Sequence, residues 1–235
     1  MTVSPLTPDS HRRRSQLYRW HIDNGAEFVE FGGQVVVGHY GDQNAEAATA
    51  RQLGICDLST LQRHGVTGSG AANWLQKQSF RLPTSANEST EQANGDCLAR
   101  LSDTEFLLLE NPLVAGPESA AGPWVDIAET HAYGLPRRDS HCWFAITGSR
   151  AAEMFSTICG VDLRAHKFSV GAVAQTSVAR VNAIVLQQLL GTAPCFYLLS
   201  DAASAEYLWD CVLDSMHEFA GTATGLPALQ ALAAG

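Results

Sequence analysis

The sequence predicts an α+β protein made of two tandem β-α-β-β units, each with a sheet covered on one face by helices. Three observations carry that expectation. HGVTGSGAANWL at 64–75 recurs as FAITGSRAAEMF at 144–155, with valine over isoleucine, serine over serine and two alanines over two alanines. Each copy is followed by a segment that reads as a β-hairpin, CLARLSDTEFLLLE at 97–110 and AIVLQQLLGTAPCFYLLS at 183–200. Between the halves, NPLVAGPESAAGPW at 111–124 is rich in Gly, Pro and Ala and reads as a connector. The expected organisation is a basic arm at 1–15, a first half at 16–112, a connector at 113–123 and a second half at 124–235.

In chain order, the pattern places a helix near 12–24, strands at EFVEF and VVVGHY, and a helix near 44–53 stopped by Gly54. Each TG turn leaves a short apolar run and enters a helix, with Ala71, Trp74, Leu75 and Gln78 in the first copy and Ala151, Met154, Phe155 and Ile158 in the second. The glycines let the backbone turn sharply, and Ser69 and Ser149 stand where an N-cap hydroxyl would meet the first free amides. In SAEYLWDCVLDSMHEFAG, Ala205, Leu208, Trp209, Val212, Leu213, Met216 and Phe219 form an apolar stripe at helical spacing, with Gly221 placed to cap the end.

Composition narrows the function classes. The 235 residues are 46% hydrophobic and 17% charged, enough to bury a sizeable core. A formal charge of −9 with only two lysines argues against nucleic acid and against an anionic membrane surface. Removing Arg12, Arg13, Arg14, Arg19 and Asp9 from 15 basic and 24 acidic residues leaves 11 and 23, so the body carries about −12 beneath a basic leader. Such a leader can seat on its own body or on an acidic neighbour. Its RRR run suggests twin-arginine export, but LYRWHIDNGAEF follows where an apolar stretch is required, so a cytoplasmic location is expected. No apolar run approaches the ~18 residues of a membrane span. Cys56, Cys97, Cys142, Cys159, Cys195 and Cys211 lack C-x-x-C spacing, which suits reduced core thiols.

The local motifs exclude more than they assign. Gly68-x-Gly70 resembles the start of a dinucleotide fingerprint, yet the sixth position is Asn73 and the second copy has Arg150 in place of Gly70, so a structural turn is expected. The eight histidines show no metal-binding spacing, and no G-x-S-x-G elbow is present.

LYRWHIDNGAEFVEFGG at 17–33, then Tyr40, then ARQLGICDLSTLQRHGVTGSGAANWL at 50–75, resembles the opening of the glycine-cleavage T-protein family, the folate-dependent aminomethyltransferases. NESTEQANGDCLARLSDTEFLLLEN, FAITGSRAAEMFSTICGVDL and the closing GLPALQALAAG continue the likeness. The resemblance implies two tandem ferredoxin-like halves of the T-protein folate-binding type, without that family's C-terminal barrel domain. It also implies a carboxylate, set against the folate nitrogen and the aminomethyl donor, from a D-D pair ahead of the RL strand. Those two positions here are Asn94 and Gly95; Asp96 lies one residue later, and on a strand a shift of one turns a side chain to the other face.

Other expected features are also missing. The tyrosine-bearing stretch is shortened to KQSFRLPTSA, the closing arginine and glutamate give way to the Leu229, Gln230 and Ala233 neighbourhood, and the histidine after D-x-S is Thr60. The run D-L-x-x-x-x-F-x-x-G-x-x-x-Q-T from Asp162 to Thr176 resembles the gamma subunit of heterotetrameric sarcosine oxidases.

These resemblances imply a non-catalytic subunit that partners larger flavin- or folate-handling chains of an amine-oxidising complex in one-carbon metabolism. The competing expectation is a tetrahydrofolate-dependent aminomethyl or methyl transferase with a rearranged site. Asp96 or Asp57 would then meet the cation, and His21, Arg51 and Tyr40 would be the folate candidates. A stand-alone folate-binding regulator is a third expectation. Trp124, Trp143 and Trp209 are candidates for a subunit interface, with burial in the chain's own core as the alternative.

Overall fold

The structure, a computed structural model, describes residues 6–11, 13–115, 124, 127 and 129–235; residues 116–123 of the expected connector therefore lie outside the described residues. A short helix α1 (Tyr18–Asp23) leads into the hairpin β1 (Glu27–Phe31) and β2 (Gln34–His39), and then into α2 (Gln43–Leu53) and β3 (Gly54–Asp57). The first TG copy joins β4 (Arg63–Thr67) to α3 (Ala71–Lys77), followed by β5 (Glu88–Glu91), β6 (Cys97–Arg100) and β7 (Glu105–Leu109). After β8 (Tyr133–Leu135), the second copy joins β9 (His141–Thr147) to α4 (Ala151–Ile158), followed by β10 (Val173–Val178), β11 (Val181–Leu190) and β12 (Ala193–Asp201). The chain closes with α5 (Ala205–His217), β13 (Thr222–Ala223) and α6 (Leu226–Ala233).

Each repeat is larger than the pattern suggested. The units are β-α-β-β-β, and their strands fall in matching orders, β5-β6-β7-β4-β8 in one sheet and β10-β11-β12-β9-β3-β13 in the other. One strand of each sheet crosses the connector, in opposite directions, with β13 pairing parallel to β3 at the edge of the larger sheet. β3, ahead of the first repeat, pairs antiparallel with β9 of the second, while β8, beyond the connector, pairs antiparallel with β4 of the first. A further seam joins the sheets where Ser89 N donates to Gly171 O at 2.6 Å and Val173 N donates to Asn87 O at 2.9 Å.

Strand alternation sorts the apolar side chains into three layers. Cys97, Ala99, Leu107 and Leu109 pack against Trp143, Ala145, Leu186, Tyr197 and Leu199 between the sheets. The outer face of the larger sheet lies under α4 and α5 through Phe144, Ile146, Phe155, Phe196 and Trp209. Val66, Trp74, Leu75, Leu98, Phe106 and Trp124 form the third layer beneath α3. The three tryptophans expected either at an interface or in the core are thus all buried in this chain's own core.

The TG turn recurs because it performs the same task twice. Gly68 and Gly148 have φ of 110° and 105°, in the region that favours glycine. Their amides donate to Thr104 O and Pro194 O, both at 2.9 Å. Two residues on, Gly70 N donates to His131 O and Arg150 N to Gln52 O, each at 3.0 Å, so each turn clamps the chain entering the exchanged strand. These amides are spent on protein carbonyls, in keeping with a structural turn. A Cβ at Gly68 would run into His131 O and one at Gly148 into Gln52 O. Gly68→Ala and Gly148→Ala are therefore each expected to destabilise the fold by about 2 kcal/mol or more, lowering Tm by roughly 4–8 °C in a thermal melt.

Three local expectations are corrected. The first helix covers only 18–23, because residues 13–17 run as an irregular segment tied down by side chains. Neither Ser69 nor Ser149 caps its helix: the residues at the caps are Gly70 and Arg150, and Gly68 O and Gly148 O take the amides of Ala71 and Ala151. The left-handed residue after α5 is Ala220, with φ 54°, while Gly221 follows at a point where a Cβ would run into Leu53.

Candidate functional site

Asp57 ends β3, where Leu58 N donates to Trp143 O at 2.8 Å and the backbone then turns through 58–62 toward β4. Its carboxylate is buried, with one oxygen accepting from Ser59 N at 2.9 Å. The other accepts from the Ser15 hydroxyl and lies 3.0 Å from His21 Nε2. Helix α1 supplies His21 from its last turn, and Tyr40, just beyond β2, brings its hydroxyl to 2.7 Å from His21 Nδ1. Glu46 on α2 completes the group by accepting from Tyr40 N at 2.6 Å and Gly225 N at 2.8 Å.

The electrostatics of this group follow from its partners. Burial pushes the Asp57 carboxyl up, but the hydrogen bond and charge of His21, then the bonds from Ser15 and Ser59, outweigh it and hold Asp57 below the usual carboxylate range. Burial raises the Tyr40 phenol, which stays protonated. In either charge state of the ring, His21 Nε2–H is the donor to Asp57. Trp20, Tyr40 and Trp209 surround the imidazole with ring centroids 5.6, 6.0 and 5.5 Å away. The adjoining cavity, lined among others by Ser15, Tyr18, Phe28, Val36 and Thr60, measures about 10 Å³, room for roughly one water.

Two arginines brace the same turn. Arg63 is fully buried, and its guanidinium donates to Ser59 O at 3.0 Å, Leu61 O at 2.9 Å, Arg138 O at 2.7 Å and also His141 O. Arg13 donates to Thr60 O at 3.3 Å, Ser59 O at 3.1 Å and Arg138 O, with Asp139 3.4 Å away. The basic arm is thus seated on the chain's own body at Arg13. Burial lowers both groups, Arg13 to about 10 and Arg63 to about 9, and in Arg63 the charge of Arg13 is the next cause.

His21, Tyr40 and Asp57, three of the expected site residues, therefore meet in one buried network. Arg51 and Asp96 do not join it. Arg51 is exposed in the last turn of α2, where its carbonyl accepts from Ser149 N at 3.1 Å. Asp96 closes a turn, accepting from Asn94 Nδ2 at 2.8 Å and Asn111 N at 2.9 Å; burial raises its carboxyl against those bonds. Within β6, Cys97 and Ala99 point between the sheets and Leu98 points beneath α3, while Asn94, Gly95 and Asp96 lie in the turn that precedes the strand. A side chain at Gly95 would strike the Asn111 amide, and its φ is 83°. Thr60 donates its hydroxyl to Val35 O at 3.0 Å.

Ser15, Glu46, Arg13 and Arg63 join the network without having been expected there. Arg63, a charge at the head of the strand RHGVT that leads into the first TG turn, is the most visible signal of the four in the sequence. Among the described residues, no group of three or more His, Cys, Asp or Glu is placed to hold a metal ion, and no helix is long and apolar enough to cross a membrane.

Comparison with known proteins adds the lineage. The chain is 25% identical over 241 residues to an aminomethyltransferase of Acidobacterium capsulatum, matching 94% of this chain and 61% of that protein. It is 38% identical over 66 residues to an aminomethyltransferase of Chromobacterium violaceum. The chain thus spans about 61% of the length of the first of these relatives. Its fold matches a heterotetrameric sarcosine oxidase from Corynebacterium sp. U-96, with a TM-score of 0.66 at 18% identity, covering 89% of this chain and 97% of that one. It also matches the glycine cleavage system aminomethyltransferase T from Bartonella henselae, with a TM-score of 0.72 at 18% identity, covering 95% and 62%. At that identity the two structures speak for the fold alone. The family model of the GCVT N-terminal domain matches residues 17–234, and the chain belongs to that family.

Proposed function

We propose that this chain is a T-protein-like subunit that contributes shape rather than chemistry to a multi-subunit amine oxidase, dehydrogenase or demethylase linked to folate one-carbon metabolism. The observation that carries this reading is the state of the acids. Neither Asn94 nor Gly95, the two positions ahead of the RL strand, carries a carboxylate, Asp96 is taken up in its own turn by Asn94 and Asn111, and buried Asp57 already accepts from Ser15, His21 and Ser59 beside a cavity of about 10 Å³. A donor nitrogen needs open space in front of the carboxylate, and the room beside Asp57 is that of about one water. The exchanged-strand sheets serve in this reading as the tandem halves of a scaffold, divided near 113–123, for larger flavin- or folate-handling chains. The near-complete coverage of one sarcosine oxidase chain supports a subunit of this size.

The rival reading, a tetrahydrofolate-dependent aminomethyl or methyl transferase with a rearranged site, draws support from relatives that carry the aminomethyltransferase name. Purification from the native organism separates the two. The subunit reading expects a flavin-containing chain to co-purify at fixed ratio, visible by flavin absorbance and mass spectrometry. A lone monomer that demethylates an amine when given tetrahydrofolate would remove that reading.

A further inference from the structure

The segment 13–17 runs over the Asp57 network without pairing to any strand. Side chains do the fastening: Arg13 reaches the carbonyls of Ser59, Thr60 and Arg138, and Ser15 donates to Asp57 while accepting from Leu17 N at 3.0 Å. Arg14, Ser15 and Tyr18 line the small cavity together with Phe28, Val35, Val36 and Val37 of the β1–β2 hairpin.

The fastening is electrostatically uneasy. Arg13 and Arg63 bond the same two carbonyl oxygens, Ser59 O and Arg138 O, so two guanidiniums sit side by side. The carboxylate nearest Arg13, Asp139, has a side chain 86% exposed and screens it weakly. Gln16 adds a buried Oε1 with no hydrogen-bond partner. Lifting the segment would rehydrate Arg13, relieve its repulsion with Arg63 and give Gln16 water. The sheets beneath hold full ladders and apolar layers and gain nothing from opening.

We propose that residues 13–17 form a strap, clasped by Arg13 and hinged at Leu17, that opens locally while both sheets stay folded and so uncovers the Asp57–His21 pair. In the open state Asp57 gives up the Ser15 hydroxyl and accepts an N–H or O–H donor arriving from outside. Ser15 thus holds a place on the carboxylate, and the strap governs access to it. This holds whether or not the subunit reading above is right.

Native-state hydrogen exchange on the intact chain, resolved by mass spectrometry, tests the strap. In the unmodified protein, the amides of Leu17 and Tyr18, which bond Ser15 Oγ and Ser15 O, are expected to exchange about 100-fold faster than those of β9 and β12. Arg13→Ala should speed Leu17 and Tyr18 by a further factor of about ten and leave β9 and β12 unchanged. Equal protection of the segment and the strands in the unmodified protein would overturn the proposal, as would a variant in which all of them accelerate together. Should Arg13→Ala fail to fold, the unmodified protein supplies the first reading and Ser15→Ala the second at Tyr18 alone, whose amide bonds the backbone oxygen of residue 15 and keeps its partner in that variant.

Discussion

Arg63→Ala is expected to destabilise the chain by about 3–5 kcal/mol, close to the limit of what such a fold tolerates. The guanidinium is fully buried and answers four backbone carbonyls, those of Ser59, Leu61, Arg138 and His141. Truncation takes this donor from Leu61 O and His141 O, at roughly 1–3 kcal/mol for each that water cannot reach, leaves Ser59 O and Arg138 O to Arg13 alone, and adds a cavity. Those carbonyls come from two places, the turn after Asp57 and the approach to β9, so the arginine joins the first repeat to the second. Lysine cannot replace it, because a single ammonium does not span four acceptors; Arg63→Lys should recover only part of the loss. Urea denaturation measures both, and a loss below about 1 kcal/mol for Arg63→Ala would show that the turn is held by something else.

Asp57→Asn is expected to cost about 2–3 kcal/mol at neutral pH and to flatten the acid side of the stability curve. The amide keeps an acceptor for Ser59 N but loses the charge that strengthens the bonds from Ser15 and His21. The sign follows from the direction of the shift. The folded-state carboxyl lies below its ordinary value of 3.8, with burial opposing and His21, Ser15 and Ser59 outweighing it. Its contribution is therefore fully present above the unfolded pKa near 4 and is lost as pH falls through the lower folded value. The unmodified chain should shed stability below about pH 4, and Asp57→Asn should shed less over the same range. Parallel curves for the two proteins would mean that Asp57 carries no such linkage.

What the sequence revealed and concealed can be traced to particular residues. The stripe from Ala205 to Met216 announced α5, because large apolar side chains recurring every three to four residues line up on one face only when the backbone is helical. The two hairpins and the TG turns were legible for a similar reason: turn chemistry and strand runs are local. β5 was hidden because ESTE has no apolar alternation and pairs on one side with β6. The exchange of β3 and β8 was invisible because pairing between residues some 70 to 90 positions apart leaves no periodic mark on either.

The site divided along the same line. His21, Tyr40 and Asp57 stand out one at a time by resemblance, and only the fold shows that they form one network. Ser15 and Glu46 gave no signal, because a serine in an irregular segment and an acid on a helix usually face water.

The most direct measurement is an equilibrium titration of the purified chain with tetrahydrofolate, followed by calorimetry or by quenching of its tryptophans. With no carboxylate at Asn94 or Gly95 and Asp57 held by Ser15, His21 and Ser59, no saturable binding is expected up to about millimolar ligand, whose free energy would be only about −4 kcal/mol. Micromolar binding that is abolished by Asp57→Asn or Asp96→Asn would contradict the idea of a scaffold emptied of its acid and would return the chain to the working transferases.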